Sequence, residues 1–294
     1  MHSFDLVVAR DVPQLLGLLA ERPEARLVAG GTDFIPFVRA GKWQPKDVID
    51  ISSIRELCFC RLAQGWIEIG TLTTHGELAA SALLREQATA LSEAAALIAD
   101  PLIRGRATVG GNICTASPAA DAVPALLALD AELVLASAAG ERHVPLNGFL
   151  LGPGKTILRP GEALTTIRFR PQAPGTGSRF LKLGRRRAMA ISVANVAALI
   201  QISGASIVTS RLAMGAVAPT VVRCAPAEAY LEGMSADPLS FAAAAARVQE
   251  TICPIDDVRA SAAYRRVVAV ELARRALVEA CERATAPHPN HELN

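Results

Sequence analysis

Along the first fifty residues, short apolar runs alternate with segments of helical periodicity. FDLVVA, ARLVAGG and DVIDIS read as strands. DVPQLLGLLAERP carries Leu residues at helix spacing, with Asp11 as N-cap and Pro13 in the first turn. TDFIPFVRAGK reads as a second helix despite Pro36. This β-α-β-α-β order predicts a small α/β unit with a partly parallel sheet.

From Ile54 the pattern changes. CFCRLAQGWIEIGTL alternates as a hairpin around Gln64-Gly65. Thr74 to Glu77 has capping-box spacing and predicts a helix over HGELAASAL. A long Ala-rich helix is expected over residues 84–99, stopped by Asp100-Pro101. A Gly-rich strand and turn is expected over 104–121, followed by the helix AVPALLALD and two strands around Ala139-Gly140. GEALTTIRFRP closes the unit. Residues 171–178, PQAPGTGS, have linker composition. Beyond them, two long strand-like stretches, FLKLGRRRAMAISVANVAALIQIS and SIVTSRLAMGAVA, precede three helices. Strands first and helices after is an α+β pattern. The last residues, HPNHELN, read as a polar, frayed tail. The chain divides into 1–53, 54–173, 178–284 and a tail 285–294.

Composition narrows the function. The chain has 294 residues, 51% of them hydrophobic, which supports large cores and excludes a mostly disordered chain. A net charge of +2 argues against nucleic acid as the main partner. No apolar run approaches the roughly 18 residues of a membrane span, and the N-terminus lacks the basic start of a signal peptide. The expectation is a cytoplasmic protein. The six cysteines show no zinc, thioredoxin or iron–sulfur spacing and read as reduced thiols; Cys58 and Cys60 would share one face of a strand. No catalytic triad or metal-ligand cluster is present in the pattern, so no catalytic or metal residue is assigned.

Two segments carry candidate chemistry: Val28-Ala29-Gly30-Gly31-Thr32-Asp33, leading into Phe34 and Ile35, and Thr108-Val109-Gly110-Gly111-Asn112. Each reads as a strand ending in a Gly-Gly pair. Glycine permits positive φ, and successive exposed amides at such a turn form a nest for an anion. Thr32 and Asn112 add side-chain donors. Two such loops suit a ligand with two phosphates, although each alone is no more than a turn.

With VAGGTD upstream, the tract ATVGGNICTASPAAD resembles the FAD-binding medium subunit of the molybdenum hydroxylases, the family of xanthine dehydrogenase and aerobic carbon monoxide dehydrogenase. LKLGRRRAMAIS, GAVAPTVVR and PIDDVRASAAYRR extend the likeness over about residues 3–283. The resemblance implies a PCMH-type FAD-binding fold of two α/β subdomains followed by an α+β C-terminal domain. It places the pyrophosphate on Val28–Asp33 and the rest of the phosphate and ribityl site on Thr108–Asn112. It places Ser117 and Asp121 near the flavin and its adenine-ribityl chain, and Leu164 and Lys182 at the isoalloxazine or its rim. The residues themselves leave alternatives open. Ser117 also reads as a helix cap, Asp121 as a helix-terminal carboxylate, Leu164 as a core residue, and Lys182 as part of a solvated basic face with Arg185, Arg186 and Arg187.

Related oxidases attach flavin through a His in the first loop. Gly30-Gly31-Thr32-Asp33 has none, so non-covalent FAD is expected. His75 reads as a capping or surface residue. The implied function is electron transfer within a complex, with molybdopterin on a large partner subunit and [2Fe–2S] clusters on a small one. The complex would be a dimer of heterotrimers passing electrons to NAD, a quinone or oxygen. The [4Fe–4S] insertion of the hydroxybenzoyl-CoA reductase branch is not expected, since Cys114 has no neighbouring cysteine. The alternatives are a stand-alone FAD-dependent oxidoreductase and a non-redox protein binding a nucleotide or coenzyme A.

Overall fold

The structure, a computed structural model, describes residues 3–186 and 189–286. Arg187 and the expected tail HPNHELN lie outside the described residues. The first unit is β1 (Asp5–Val8), α1 (Val12–Glu21), β2 (Arg26–Val28), α2 (Phe34–Arg39) and β3 (Asp47–Asp50). Its three strands are all parallel, with β3 in the centre. Asp11 caps α1, its carboxylate accepting from the Gln14 amide at 2.7 Å, and Leu15 and Leu19 are buried beneath the sheet.

The second unit opens with the hairpin β4 (Cys60–Ala63) and β5 (Trp66–Gly70). Gln64 and Gly65 both have left-handed φ, 50° and 74°, the turn whose twist matches paired strands. Cys58 ends a short 3-10 turn and only Cys60 lies in β4, so the two thiols do not share a strand face. Six helices follow: α3 (His75–Ala80), α4 (Ala82–Gln87), α5 (Thr89–Ala96), α6 (Pro101–Arg104), α7 (Val109–Cys114) and α8 (Ala122–Ala128). The unit ends with β6 (Glu132–Ser137), β7 (Gly140–Pro145), the small hairpin β8 (Leu150–Gly152) and β9 (Lys155–Thr156), and β10 (Ala163–Phe169). The antiparallel sheet runs β4-β5-β10-β6-β7.

Two expectations fail in this unit. The helix expected over 84–99 is two helices, broken at Ala88, whose backbone leaves the helical region at φ −159° and ψ 51°. Thr89 Oγ1 donates back to the Arg85 carbonyl, an alternative to helix propagation, and the break buries Ala90, Leu91, Ala94 and Ala95 together. Asp100 does not simply stop a helix; it caps α6 by accepting from the Ile103 amide at 2.9 Å. The Gly-rich stretch expected as strand and turn over 104–121 contains α7 instead. Thr108 caps it, and Gly110 lies so close to Thr71 that a Cβ would fall 1.7 Å from Thr71 Oγ1. Close packing and a cap here outweigh the low helix propensity of glycine.

In the third unit, β11 (Thr176–Gly184), β12 (Ser192–Ser203), β13 (Ser206–Gly215) and β14 (Val222–Arg223) form an antiparallel sheet. Its strand β11 begins at Thr176, so the last three residues of the expected linker 171–178 are already sheet. The helices α9 (Ala225–Leu231), α10 (Pro238–Ala246) and α11 (Ala262–Thr285) cover one face. On β12, Val196, Ala198 and Ile200 face those helices, while Ala197 and Leu199 join the core of the second unit. Burial on both faces explains why β12 reads as a continuous apolar run. Glu93 of α5 fastens the same junction. Its carboxylate pairs with Arg179 and Arg283 at 2.5 and 2.6 Å and accepts from the Phe180 amide at 3.0 Å. Among the described residues, no helix is long and apolar enough to cross a membrane.

Replacing Glu93 with Ala leaves Arg283 and the Phe180 amide without that acceptor. The expected loss is about 1–3 kcal/mol of stability, read from the urea midpoint. A midpoint equal to that of the parent would show that apolar contacts alone hold the third unit in place.

Candidate functional site

After β2 the chain turns through Ala29–Asp33 into α2. Gly31 has φ +74°, a conformation glycine adopts without strain. Among the described residues, the Gly31, Thr32 and Asp33 amides have no hydrogen-bond partner. They form an open nest of donors at a turn, suited to an anion. Gly30 rests directly on the segment ahead of α7: a Cβ there would lie 1.8 Å from the Arg106 carbonyl oxygen. Arg106 Nε donates to the Gly30 carbonyl at 3.3 Å, and Thr115 Oγ1 donates to Asp33 at 2.9 Å. The two glycine segments are therefore adjoining walls of one site.

They are not equivalent walls. In the second segment the Val109 and Gly110 amides donate to the Thr73 and Thr71 carbonyls. Those of Gly111 and Asn112 donate to Thr108 Oγ1 and its carbonyl. The expectation of exposed amides holds for the first segment and fails for the second, whose backbone donors are spent on folding. Gly111 is helical, without the positive φ expected of it.

Between the walls lies a cavity of about 560 Å³, within the range of roughly 300–1,000 Å³ usual for ligand sites. Twelve of the seventeen residues singled out in the sequence line it: Val28, Ala29, Gly30, Gly31, Thr32, Asp33, Phe34, Thr108, Gly110, Gly111, Asn112 and Leu164. Five are not among its lining residues. Val109 is buried in the core, and Ile35 is exposed on α2. Ser117 acts locally, its Oγ accepting from the Ala119 amide at 3.3 Å. Asp121 and Lys182 pair with each other at 2.6 Å, both side chains only 9% exposed.

That pair corrects the reading of Lys182 as part of a solvated face; Arg185 and Arg186 are exposed, and Lys182 is not. Asp121 also accepts from Ser192 Oγ and Asn195 Nδ2 at 2.5 and 2.7 Å. Lys182 Nζ also donates to the Leu97 carbonyl at 3.2 Å, and the next two residues, Ile98 and Ala99, line the cavity. The buried pair thus ties the third unit to a cavity wall. Opposite, Arg142 grips Glu162 through Nε and Nη2 at 2.7 and 2.8 Å. Its hydrogen bond holds the Glu162 carboxyl below the usual range and fixes the segment running from β9 to β10 along the cavity.

The sequence reading missed two lining residues of chemical interest. His75 is not on the surface: it is 1% exposed at the start of α3, and neither ring nitrogen has a partner among the described residues. Burial pushes its pKa down to about 4, so the ring is neutral. Cys114 also lines the cavity, and burial pushes its thiol up to about 12, which leaves it without nucleophilic thiolate character. Asn112 Oδ1 is a further buried atom without a partner. Among the described residues, no group of three or more His, Cys, Asp or Glu is arranged to hold a metal.

Comparison with known proteins agrees with this geometry. Residues 2–172 match the family described as FAD binding domain in molybdopterin dehydrogenase, and residues 179–280 match the CO dehydrogenase flavoprotein C-terminal domain. The xanthine dehydrogenase FAD-binding subunit of Escherichia coli O157:H7 is 34% identical, over 92% of this chain and 94% of that one. The carbon monoxide dehydrogenase medium chain of Hydrogenophaga pseudoflava is 33% identical, over 93% and 96%. A solved structure of carbon monoxide dehydrogenase from Hydrogenophaga pseudoflava superposes with a TM-score of 0.92 at 34% identity, covering 95% of this chain and 98% of that one. Quinoline 2-oxidoreductase from Pseudomonas putida 86 gives 0.90 at 25% identity, covering 97% and 99%. The chain belongs to the FAD-binding medium subunits of the xanthine dehydrogenase and carbon monoxide dehydrogenase family.

The site generates two predictions. Gly31→Val forces a branched side chain into the left-handed region and should cost about 1–3 kcal/mol. Gly111→Ala, in a helix with its Cβ 3.0 Å from Thr108 Oγ1, should change stability by less than about 1 kcal/mol. Equal losses in thermal melts would contradict the asymmetry. The second concerns acid. As pH falls from 6.5 towards 4, the unfolded chain binds a proton at His75 while the folded chain does not. In the flavin-free chain this should remove up to about 3 kcal/mol over that window. His75→Gln should flatten the dependence there; an unchanged slope in urea titrations would show that the ring is already protonated when folded.

Proposed function

We propose that this chain binds FAD non-covalently in the cavity between Val28–Asp33 and α7, and serves as the electron-transfer subunit of a molybdenum hydroxylase complex. The observation that carries the reading is the row of three amides at Gly31, Thr32 and Asp33 without partners among the described residues, in a turn that lines that cavity. Such a nest suits a pyrophosphate, and Thr32 adds a hydroxyl beside it. Thr108, Gly110, Gly111 and Asn112 shape the opposite wall, along which the ribityl chain would lie. Leu164, 4% exposed and shared between core and cavity, gives an apolar surface for the isoalloxazine. Asp121 and Lys182 act one step back, as a mutually neutralised pair that holds the Ile98–Ala99 wall. The first loop has no His or Cys, and the protonated Cys114 thiol offers no covalent link.

Held there, FAD would supply redox chemistry between [2Fe–2S] clusters of a small partner subunit and an acceptor such as NAD, a quinone or oxygen. The clusters are in turn supplied by a molybdopterin-bearing large subunit, and the assembly is a dimer of heterotrimers. This chain's own residues bind the cofactor, orient it and exclude water. A stand-alone FAD-dependent oxidoreductase is the competing reading, separated from this one by turnover without partners.

The full chain produced alone should be yellow and release free FAD on acid denaturation. It should carry no stoichiometric iron or molybdenum and reduce no acceptor with hydroxylase substrates. Colourless protein that takes up no FAD on titration, or turnover by the isolated chain, would overturn the proposal.

A further inference from the structure

We infer that Arg26, stacked on Trp43, is the platform for the adenine ring of FAD, and that this stack selects the dinucleotide over flavin mononucleotide. This rests on the FAD reading above and goes beyond it, since neither glycine segment includes Arg26 or Trp43. Arg26 opens β2, and Val28, two residues on and on the same face of the strand, leads into the nest. The Arg26 guanidinium carbon lies 4.0 Å from the centroid of the Trp43 ring. Both residues line the cavity, and Arg26 is exposed.

The platform is held from behind. In a chain only 4% aromatic, Phe34 and Phe37 both pack on Trp43, with ring centroids 6.2 and 4.7 Å away. Phe34 follows directly on Asp33, the last residue of the nest, so a single side chain spans from the nest to the platform. Arg26 itself has no hydrogen bond or ion pair among the described residues. Desolvation lowers its pKa, with no carboxylate nearby to raise it. Arg159, the other Lys or Arg along the cavity, differs in lying within the field of Glu162.

The chemistry then selects the part of the ligand. With the pyrophosphate on the Gly31–Asp33 nest and the ribityl chain along the second wall, the adenosine arm is left for the start of β2. A guanidinium is planar and weakly hydrated, and it stacks on aromatic faces. One face of Arg26 meets Trp43, and among the described residues no second ring meets the other. Adenine supplies such a ring, and its nitrogens can accept from a guanidinium whose N–H groups have no acceptor within the chain. Ribityl hydroxyls have no face to stack.

The test uses the full chain stripped of flavin, titrated with FAD and with flavin mononucleotide, and with ADP and inorganic pyrophosphate in competition with FAD. Arg26→Met should raise the dissociation constants of FAD and ADP about tenfold. Those of flavin mononucleotide and pyrophosphate should stay within about twofold. Arg26→Lys keeps the charge and loses the plane, so it should recover no more than about twofold of that loss. If these variants fail to fold, a Trp66→Phe chain decides, since Trp43 is then the sole tryptophan. Its emission should change with ADP and not with pyrophosphate. FAD affinity unchanged by Arg26→Met would overturn the inference, as would an equal loss for flavin mononucleotide or Trp43 emission indifferent to ADP. Full recovery in Arg26→Lys would overturn it too, by showing a charge contact to phosphate. A parent chain that binds no FAD would instead overturn the cofactor assignment itself, and the platform with it.

Discussion

The contact on which the cavity depends is the approach of Gly30 to the backbone ahead of α7. The Arg106 carbonyl oxygen occupies the space that a Cβ of Gly30 would need, and Thr71 Oγ1 fills the corresponding space at Gly110. The first absence sets the distance between the first unit and the second, and the other seats α7 against Thr71 within the second unit. With the walls that close, the Asp33–Thr115 and Arg106–Gly30 hydrogen bonds form across the seam, and Gly31 to Asp33 line the cavity with amides that have no partner among the described residues. A methyl group at Gly30 would separate the walls before it touched any ligand. Glycine at these positions is a packing requirement first and a binding feature second.

The rest of the molecule supports that seam from behind. The third unit buries one face of β12 against its own helices and the other against the second unit, so its docking is part of a core and not a surface encounter. Two charged clusters fix the register of this docking. Glu93 holds Arg179 and Arg283, and Asp121 holds Lys182 together with Ser192 and Asn195. Buried pairs of this kind add little net stability, but removing one partner is costly, so they penalise any other arrangement of the two units. Through Leu97, the second cluster reaches the cavity wall.

Much of this is legible in the sequence. The first unit follows from alternation and caps alone, since Asp11, Pro13 and the Gly30-Gly31 turn are local signals that tertiary packing does not override. The same holds for the Gln64-Gly65 hairpin and the Thr74–Glu77 capping box, whose reciprocal hydrogen bonds all form. The errors arise where distant contacts decide. No proline or glycine marks Ala88, and the helix breaks there because Thr89 bonds backward and the core recruits Ala90, Leu91, Ala94 and Ala95. A pair of glycines argues against a helix, and α7 exists because Thr71 and Thr73 supply acceptors to Val109 and Gly110. The spacing of Thr108 to Gly111 is the available hint of a cap. The position of His75 at a helix start is evident from the capping box, but no local pattern reports that its ring is buried.

The two glycine segments look alike as sequence and differ in the partners of their amides, and that difference defines the site. In α7 every first-turn amide has an acceptor within the protein, so the helix terminus offers shape and side chains but no free backbone donors. In the first segment the turn after β2 leaves three amides unpaired, and the positive φ of Gly31 turns the chain there. A dianionic group belongs at the first wall on electrostatic grounds. The second wall, without free backbone donors, then meets the uncharged portion of the ligand. Polarity therefore runs in one direction across the cavity, and a ligand with a charged middle and a neutral, hydroxyl-rich arm has a single way to lie in it.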